Sequence, residues 1–113
     1  MLFRSGDTLF MGTIDAHLVA IDAKNGKPLW DTVVAKAESG YALTHAPLVV
    51  KDKVIVGTAG GEFGIRGFIA AFDVKTGKEV WRFYTIPGPG EPGHETWSGD
   101  SWKTGGASVW MTG

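Results

Sequence analysis

The sequence predicts an all-β fold built from about two four-stranded blades of a β-propeller. Three observations carry that prediction. An eleven-residue pattern occurs twice, as Ala20-Ile21-Asp22-Ala23-Lys24-Asn25-Gly26-Lys27-Pro28-Leu29-Trp30 and as Ala71-Phe72-Asp73-Val74-Lys75-Thr76-Gly77-Lys78-Glu79-Val80-Trp81, 51 residues apart. Short apolar segments separated by turn residues surround each copy, and none repeats apolar residues at helical spacing over three turns. The 17 glycines mark many tight turns. Four short strands in a repeat of roughly 40–50 residues is the period of propeller blades.

The first copy reads as strands over 8–11, 17–21 and 28–32, and the second as strands over 47–50, 53–56, 67–72 and 79–85. Asn25-Gly26 and Thr76-Gly77 stand where a hairpin needs positive φ, which glycine adopts without a Cβ clash. Each copy ends on a tryptophan, Trp30 or Trp81. A flat indole beside the small Ala20 or Ala71 suits a strand face that the next sheet must cover. Two unrelated hairpins sharing common turn residues are the alternative, and identity at six of eleven positions weighs against it.

A second echo locates an insertion. Leu9-Phe10-Met11-Gly12-Thr13 matches Val54-Ile55-Val56-Gly57-Thr58 at a spacing of 45 residues, six fewer than the spacing of the main pattern. The second copy therefore carries extra residues between Thr58 and Ala71, and insertions in repeat proteins map to loops, often on the binding face. The segment reads Ala59-Gly60-Gly61-Glu62-Phe63-Gly64-Ile65-Arg66-Gly67. Gly60 and Gly61 let backbone approach a ligand closely, and Glu62 offers a hard oxygen suited to calcium. A lone loop glutamate is more commonly just solvated, so its residue type leaves both roles open. Thr44, before a strand, is by itself a turn residue. His45 could act as an acid or base, or be packed.

Composition narrows the classes. The net charge is −1, with both signs mixed along the chain and no basic block of the kind that binds nucleic acid. There are no cysteines, hence no disulfide or thiolate site within these residues. No apolar run is long enough to cross a bilayer, and the residues before Asp7 are too few for a signal peptide. Gly88-Pro89-Gly90-Glu91-Pro92-Gly93 fits a dinucleotide-binding glycine pattern, but its prolines and the lack of a following helix make it a loop.

Together these segments resemble the pyrroloquinoline-quinone (PQQ)-dependent alcohol and methanol dehydrogenases. The pattern A-x-D-x-x-x-G-x-x-x-W is similar to their tryptophan-docking repeat, and the resemblance runs from about Gly6 to the end. It implies an eight-bladed propeller of which this chain is an incomplete part. Residues 1–5 are expected to be a non-native leader, with both ends arbitrary cuts of a longer reading frame. Residues 6–113 are then propeller, with repeat units at about 6–41 and 42–95 and the start of a next blade at 96–113. Isolated sheet edges of this kind are expected to aggregate.

The resemblance also assigns residues. The insertion is similar to the family's S-G-A-E-x-G-x-R-G stretch, which implies Glu62 as metal ligand and Ala59, Gly60 and Gly61 as quinone contacts. Ala59 stands where a serine is common. Arg66 is read as structural, paired with a nearby acid. Leu43-Thr44-His45-Ala46-Pro47 resembles L-T-x-A-P, which implies Thr44 as a donor to a quinone carboxylate and leaves His45 in a variable slot. The segment from Trp97 to Trp110 resembles W-x-G-D-x-W-K-x-G-G-x-x-x-W, implying Trp110 as the floor on which the quinone stacks; Trp97 and Trp102 are read as packing.

The activity implied is oxidation of a primary alcohol to an aldehyde by hydride transfer to PQQ, with calcium or a lanthanide as Lewis acid. The implied acceptor is a c-type cytochrome and the implied compartment the periplasm, with the oligomeric state left open. The family's catalytic aspartate follows a G-N-P stretch that this sequence does not contain, so no catalytic residue is assigned and no turnover is expected of these residues alone. The rival reading is a non-enzymatic propeller scaffold of the outer-membrane assembly type. A membrane-bound sugar dehydrogenase is a third, disfavoured by the alcohol-type insertion.

Overall fold

The computed structural model describes residues 2–111. They form two four-stranded antiparallel meanders: β1 (Leu2–Ser5), β2 (Thr8–Gly12), β3 (His17–Asp22) and β4 (Pro28–Val33), then β5 (Leu48–Val50), β6 (Lys53–Gly57), β7 (Phe68–Asp73) and β8 (Glu79–Tyr84). The expected all-β architecture is therefore present, with matching sheets and no α-helix among the described residues. The strand expected from Pro47 begins one residue later, because proline has no N–H to give a ladder.

Leu2–Ser5, expected to lie outside the native repeat, pairs with β2 as the outermost strand, Leu2 opposite Met11 and Ser5 opposite Thr8. Edge pairing uses backbone groups that every non-proline residue carries, so it forms whatever the origin of the side chains. At the other end, residues 96–111 add no strand to a third sheet; Thr112 and Gly113 of that expected blade lie outside the described residues.

The repeated pattern has a local meaning in both sheets. Asp22 Oδ1 accepts from the Lys24 amide at 2.8 Å, and the Gly26 amide donates to the Asp22 carbonyl. Asp73 does the same with Lys75 and Gly77, and the Lys75 and Thr76 amides hold its carboxyl below the usual range. Gly26 and Gly77 have φ of 75° and 74°. Ala20 lies opposite Trp30 and Ala71 opposite Trp81, each followed by the same register shift. A bulge of this kind leaves one residue of the outer strand unpaired, and Leu29 and Val80 are accordingly exposed.

The core lies between the two sheets. Phe10, Leu18 and Ala20 of the first meet Val54, Phe68 and Phe72 of the second, all at most 2% exposed. Trp30 crosses this seam: its Nε1–H donates to the Val74 carbonyl at 3.0 Å, and the Thr32 hydroxyl donates to the Gly77 carbonyl at 2.7 Å. The indole lies so close that a Cβ at Gly77 would stand 2.6 Å from its ring carbons. The sequence placed each tryptophan beside its own alanine; the contact that holds the sheets together is made with the next repeat's glycine. From the other side Arg82 donates to the Val34 carbonyl at 2.9 Å and covers the Phe68 ring at 4.0 Å.

Gly26 and Gly77 allow a controlled comparison. Both substitutions to alanine incur left-handed strain of about 1–2 kcal/mol. Only Gly77→Ala also collides with Trp30, adding about 1–3 kcal/mol of overpacking. Urea denaturation in dilute solution should rank Gly77→Ala well below Gly26→Ala, and equal losses would refute the docking contact. A second outcome concerns pH. The His17 Nδ1–H donates to Asp31 at 2.6 Å, and that hydrogen bond is the main cause holding its pKa above the ordinary 6.5. A pKa raised in the folded state stabilises fully below the unfolded value and is lost as pH rises through the folded one. The stability advantage of wild type over His17→Gln should be present at pH 5.5 and shrink by pH 9, as read from denaturation midpoints.

Candidate functional site

In both sheets a threonine closes the turn between second and third strands. The Thr13 amide donates to the His17 carbonyl and the His17 amide to Thr13 Oγ1, each at 2.9 Å. Thr58 and Phe68 repeat the arrangement at 3.1 and 3.3 Å, with Thr58 fully buried. Three residues separate the first clamp and nine the second. The six additional residues inferred from repeat spacing thus sit within one loop, on a base the two sheets share.

Glycine shapes that loop. Gly60 has φ of 109°, and a Cβ there would overlap the Gly40 carbonyl oxygen, so the chain can pass this point only without a side chain. Gly61–Phe63 makes a single tight turn, and Gly64, at φ of 71°, reverses it. The buried Ile65 pins the return limb, and Tyr41 clamps it by donating to the Arg66 carbonyl at 3.0 Å. Ala42 and Ala59 exchange backbone hydrogen bonds, and the Leu43 amide donates to the Thr13 carbonyl; these bonds bring Thr44 alongside the loop.

The C-terminal segment is stitched to both limbs. Gly67 N–H donates to the Gly106 carbonyl at 2.7 Å, Gly106 N–H to the Ile65 carbonyl at 2.8 Å, and Val109 N–H to the Thr58 carbonyl at 2.9 Å. Arg66 anchors the intervening chain. Its Nε and Nη2 donate to the Ile86 carbonyl at 3.1 and 2.7 Å, its guanidinium lies 4.0 Å from the Tyr84 ring centre and 4.8 Å from that of Trp102, and Glu91 is 3.7 Å away. The expected acid is present, although the Ile86 carbonyl is the closer partner. Trp97 packs against Gly105. Glu91 also accepts from the Gly88 amide at 2.7 Å, which makes the glycine-proline segment the loop it was expected to be.

Three separate stretches of sequence thereby meet at one cleft of about 310 Å³, lined by Thr44, Ala59, Gly60, Glu62, Ser108 and Trp110. Five of these are residues singled out from sequence. Gly61, also singled out, lies beside the cleft with the Ser108 hydroxyl against it. Ser108 went unremarked because its place depends on the backbone bonds of Gly106 and Val109, which carry no sequence signature. Glu62 is exposed and takes part in no ion pair among the described residues. Trp110 is 57% exposed. His45 is packed: Nδ1–H donates to the Ala46 carbonyl at 2.8 Å, and Nε2 accepts from the Gly57 amide at 2.9 Å.

The donors suit a flat, acidic ligand with a bound cation. Two hydroxyl-bearing residues, a carboxylate-bearing one and a tryptophan line one small space, and glycine gives access to backbone. No group of three or more potential metal-ligating side chains occurs among the described residues, so Glu62 could supply one ligand of several. The model of the PQQ family, described as the glucose/ethanol/alcohol dehydrogenase β-propeller domain, matches residues 4–113. The chain belongs to this family. It is 47% identical over 116 residues to quinohemoprotein alcohol dehydrogenase ADH IIB of Pseudomonas putida, covering 93% of this chain and 17% of that protein. The europium-containing methanol dehydrogenase structure superposes with a TM-score of 0.87 at 40% identity, over 97% of this chain and 22% of that one. BamB from Moraxella catarrhalis aligns less fully, with a TM-score of 0.57 and 30% identity over 71% of this chain. The chain thus spans about a fifth of the length of the dehydrogenases it matches.

Replacing Arg66 by lysine removes the two-pronged grip on Ile86 and the planar stack on Tyr84 and Trp102. Hydrogen exchange at the Gly67 and Gly106 amides should accelerate about tenfold or more, as expected for a charge-assisted bond worth about 1.5–3 kcal/mol. Unchanged protection would show that the backbone bonds hold the C-terminal segment unaided.

Proposed function

We propose that this chain is part of a PQQ-dependent alcohol dehydrogenase and supplies one side of its quinone and metal site. The observation that supports this best is the convergence of Thr44, Ala59, Gly60, Glu62 and Trp110, three stretches far apart in sequence, on one cleft. In this reading Trp110 offers an aromatic face to a planar ring system. Thr44 donates its hydroxyl to a quinone carboxylate. Ala59 leaves no side-chain donor where the family commonly has serine, and the neighbouring Ser108 provides a hydroxyl in the same cleft. Gly60 and Gly61 keep the wall low enough for backbone to meet the ligand. Glu62 contributes an oxygen to calcium or to a lanthanide, a choice consistent with the likeness to a europium-containing enzyme.

When bound, PQQ with its metal supplies a hydride acceptor polarised by a Lewis acid. The residues of this chain hold and orient that acceptor, and no catalytic base is assigned among them. The base, the remaining metal ligands and the residues that select the alcohol belong to other parts of a full-length protein. A periplasmic location and a c-type cytochrome as electron acceptor complete the proposal. The scaffold alternative shares the repeats, but it gives no reason for a carboxylate, two hydroxyls and an exposed indole to meet at the inserted loop.

The test is made in a full-length protein carrying this segment. Glu62→Ala should abolish metal-dependent uptake of PQQ, read by absorbance titration of the apoenzyme with and without calcium or lanthanide. Trp110→Ala should weaken uptake about tenfold or more through loss of stacking, with metal dependence retained. Wild-type yields of holoprotein from Glu62→Ala would refute the assignment.

A further inference from the structure

The ladder between β5 and β6 stops short of the end of β6. Val50 pairs with Lys53 and Leu48 with Ile55, so the same register would set Ala46 opposite Gly57 in a further rung of the same kind. In that rung the Gly57 amide would donate to the Ala46 carbonyl. Each of these groups is bonded to the His45 imidazole instead. Nδ1–H donates to the Ala46 carbonyl at 2.8 Å, and Nε2 accepts from the Gly57 amide at 2.9 Å. A carbonyl only accepts and an amide N–H only donates, so the two partners require the neutral ring with its proton on Nδ1. Nε2 also lies 3.1 Å from the Gly57 carbonyl. A neutral ring protonated there would leave two acceptors, Nδ1 and the Ala46 oxygen, facing each other at 2.8 Å. His45 is 7% exposed and shares a small apolar hollow with Leu48, Ile55, Ile69 and Val109.

Thr44 immediately precedes this ring. On its other side Ala42 and Ala59 exchange backbone hydrogen bonds, so Thr44 is spanned by two anchors, on the residues that flank Thr58. The Thr58 carbonyl in turn takes the Val109 amide, and a Cβ at Gly57 would overlap the Val109 carbonyl oxygen. Residues 57–59 are therefore a strut that carries the Thr44 turn, the inserted loop and the C-terminal segment. A direct rung would bring Ala46 against Gly57 and carry the Thr44 turn toward β6. We propose that His45 is a positioning residue of the cleft: its ring, inserted as a spacer where the β5–β6 ladder would close, sets where Thr44 presents its hydroxyl. This role rests on the proposed donation from Thr44 to a quinone carboxylate. Position 45 thereby acts on the ligand without touching it, through the main chain of its neighbour.

The test uses a full-length protein carrying this segment. His45→Leu keeps a large side chain and removes both ring bonds. PQQ uptake by its apoenzyme, titrated by absorbance with metal present, should weaken about tenfold, the worth of one hydrogen bond. His45→Gln, whose amide again offers a donor and an acceptor on one carbon, should recover most of that loss. Because His45 acts through Thr44, the losses should not add: Thr44→Val combined with His45→Leu should take up PQQ no worse than Thr44→Val alone. Additive losses would overturn the proposal, as would unchanged uptake by His45→Leu where Glu62→Ala abolishes it. Unchanged uptake by both Glu62→Ala and His45→Leu would overturn the quinone site itself, and the role of His45 with it. Nitrogen NMR of the wild-type ring gives a check that needs no variant to fold. A proton on Nδ1 supports the spacer, and a neutral ring protonated on Nε2 would overturn it.

Discussion

Among the described residues no backbone ladder joins the two sheets, so side chains fill the seam between them, and the Trp30 indole is the largest that crosses it. It fills space that a glycine vacates and satisfies its one N–H on the Val74 carbonyl, so a large apolar surface is buried without stranding a polar group. Three further positions of the repeated pattern serve that contact. Asp73 folds the turn, Gly77 lets it reverse and leaves the opening, and Ala20 gives the indole a flat neighbour within its own sheet.

The cleft inherits its geometry from this frame. With the sheets held face to face, the Thr58 clamp and the Leu43–Thr13 bond stand at one end of the seam, where the inserted loop emerges. The loop has little core of its own beyond Ile65, and its shape comes from glycines that accept backbone within contact distance. The C-terminal segment then closes one side through three backbone bonds and the Arg66 anchor. Thr44, Glu62 and Trp110 are therefore held by main-chain bonding around them, which leaves their side chains available to a ligand.

Much of this was legible beforehand. Repeat spacing and turn chemistry gave seven of the eight strands, the hairpin turns and the length of the insertion between Thr58 and Ala71, while the edge strand Leu2–Ser5 was expected to lie outside the repeat. Residue type alone left Glu62 and Thr44 ambiguous, and family resemblance singled them out. The partner of each tryptophan was not legible: the neighbour in the sheet is set by local register, whereas the docking glycine lies 47 residues from Trp30 in the next repeat. Ser108 was missed for a related reason, since a serine in a glycine-rich stretch has no periodicity to mark it.

The sequence by itself determined what is local and periodic: an all-β chain, two sheets, glycines at the positive-φ turns and an inserted loop with one carboxylate. These follow from alternation, turn chemistry and spacing, which act over a few residues. Only the tertiary structure decided that the loop, the Thr44 turn and the Trp110 segment share one cleft, and that Trp30 docks on the following sheet. Such meetings depend on contacts between residues tens of positions apart, whose positions are set only when the two sheets are packed together.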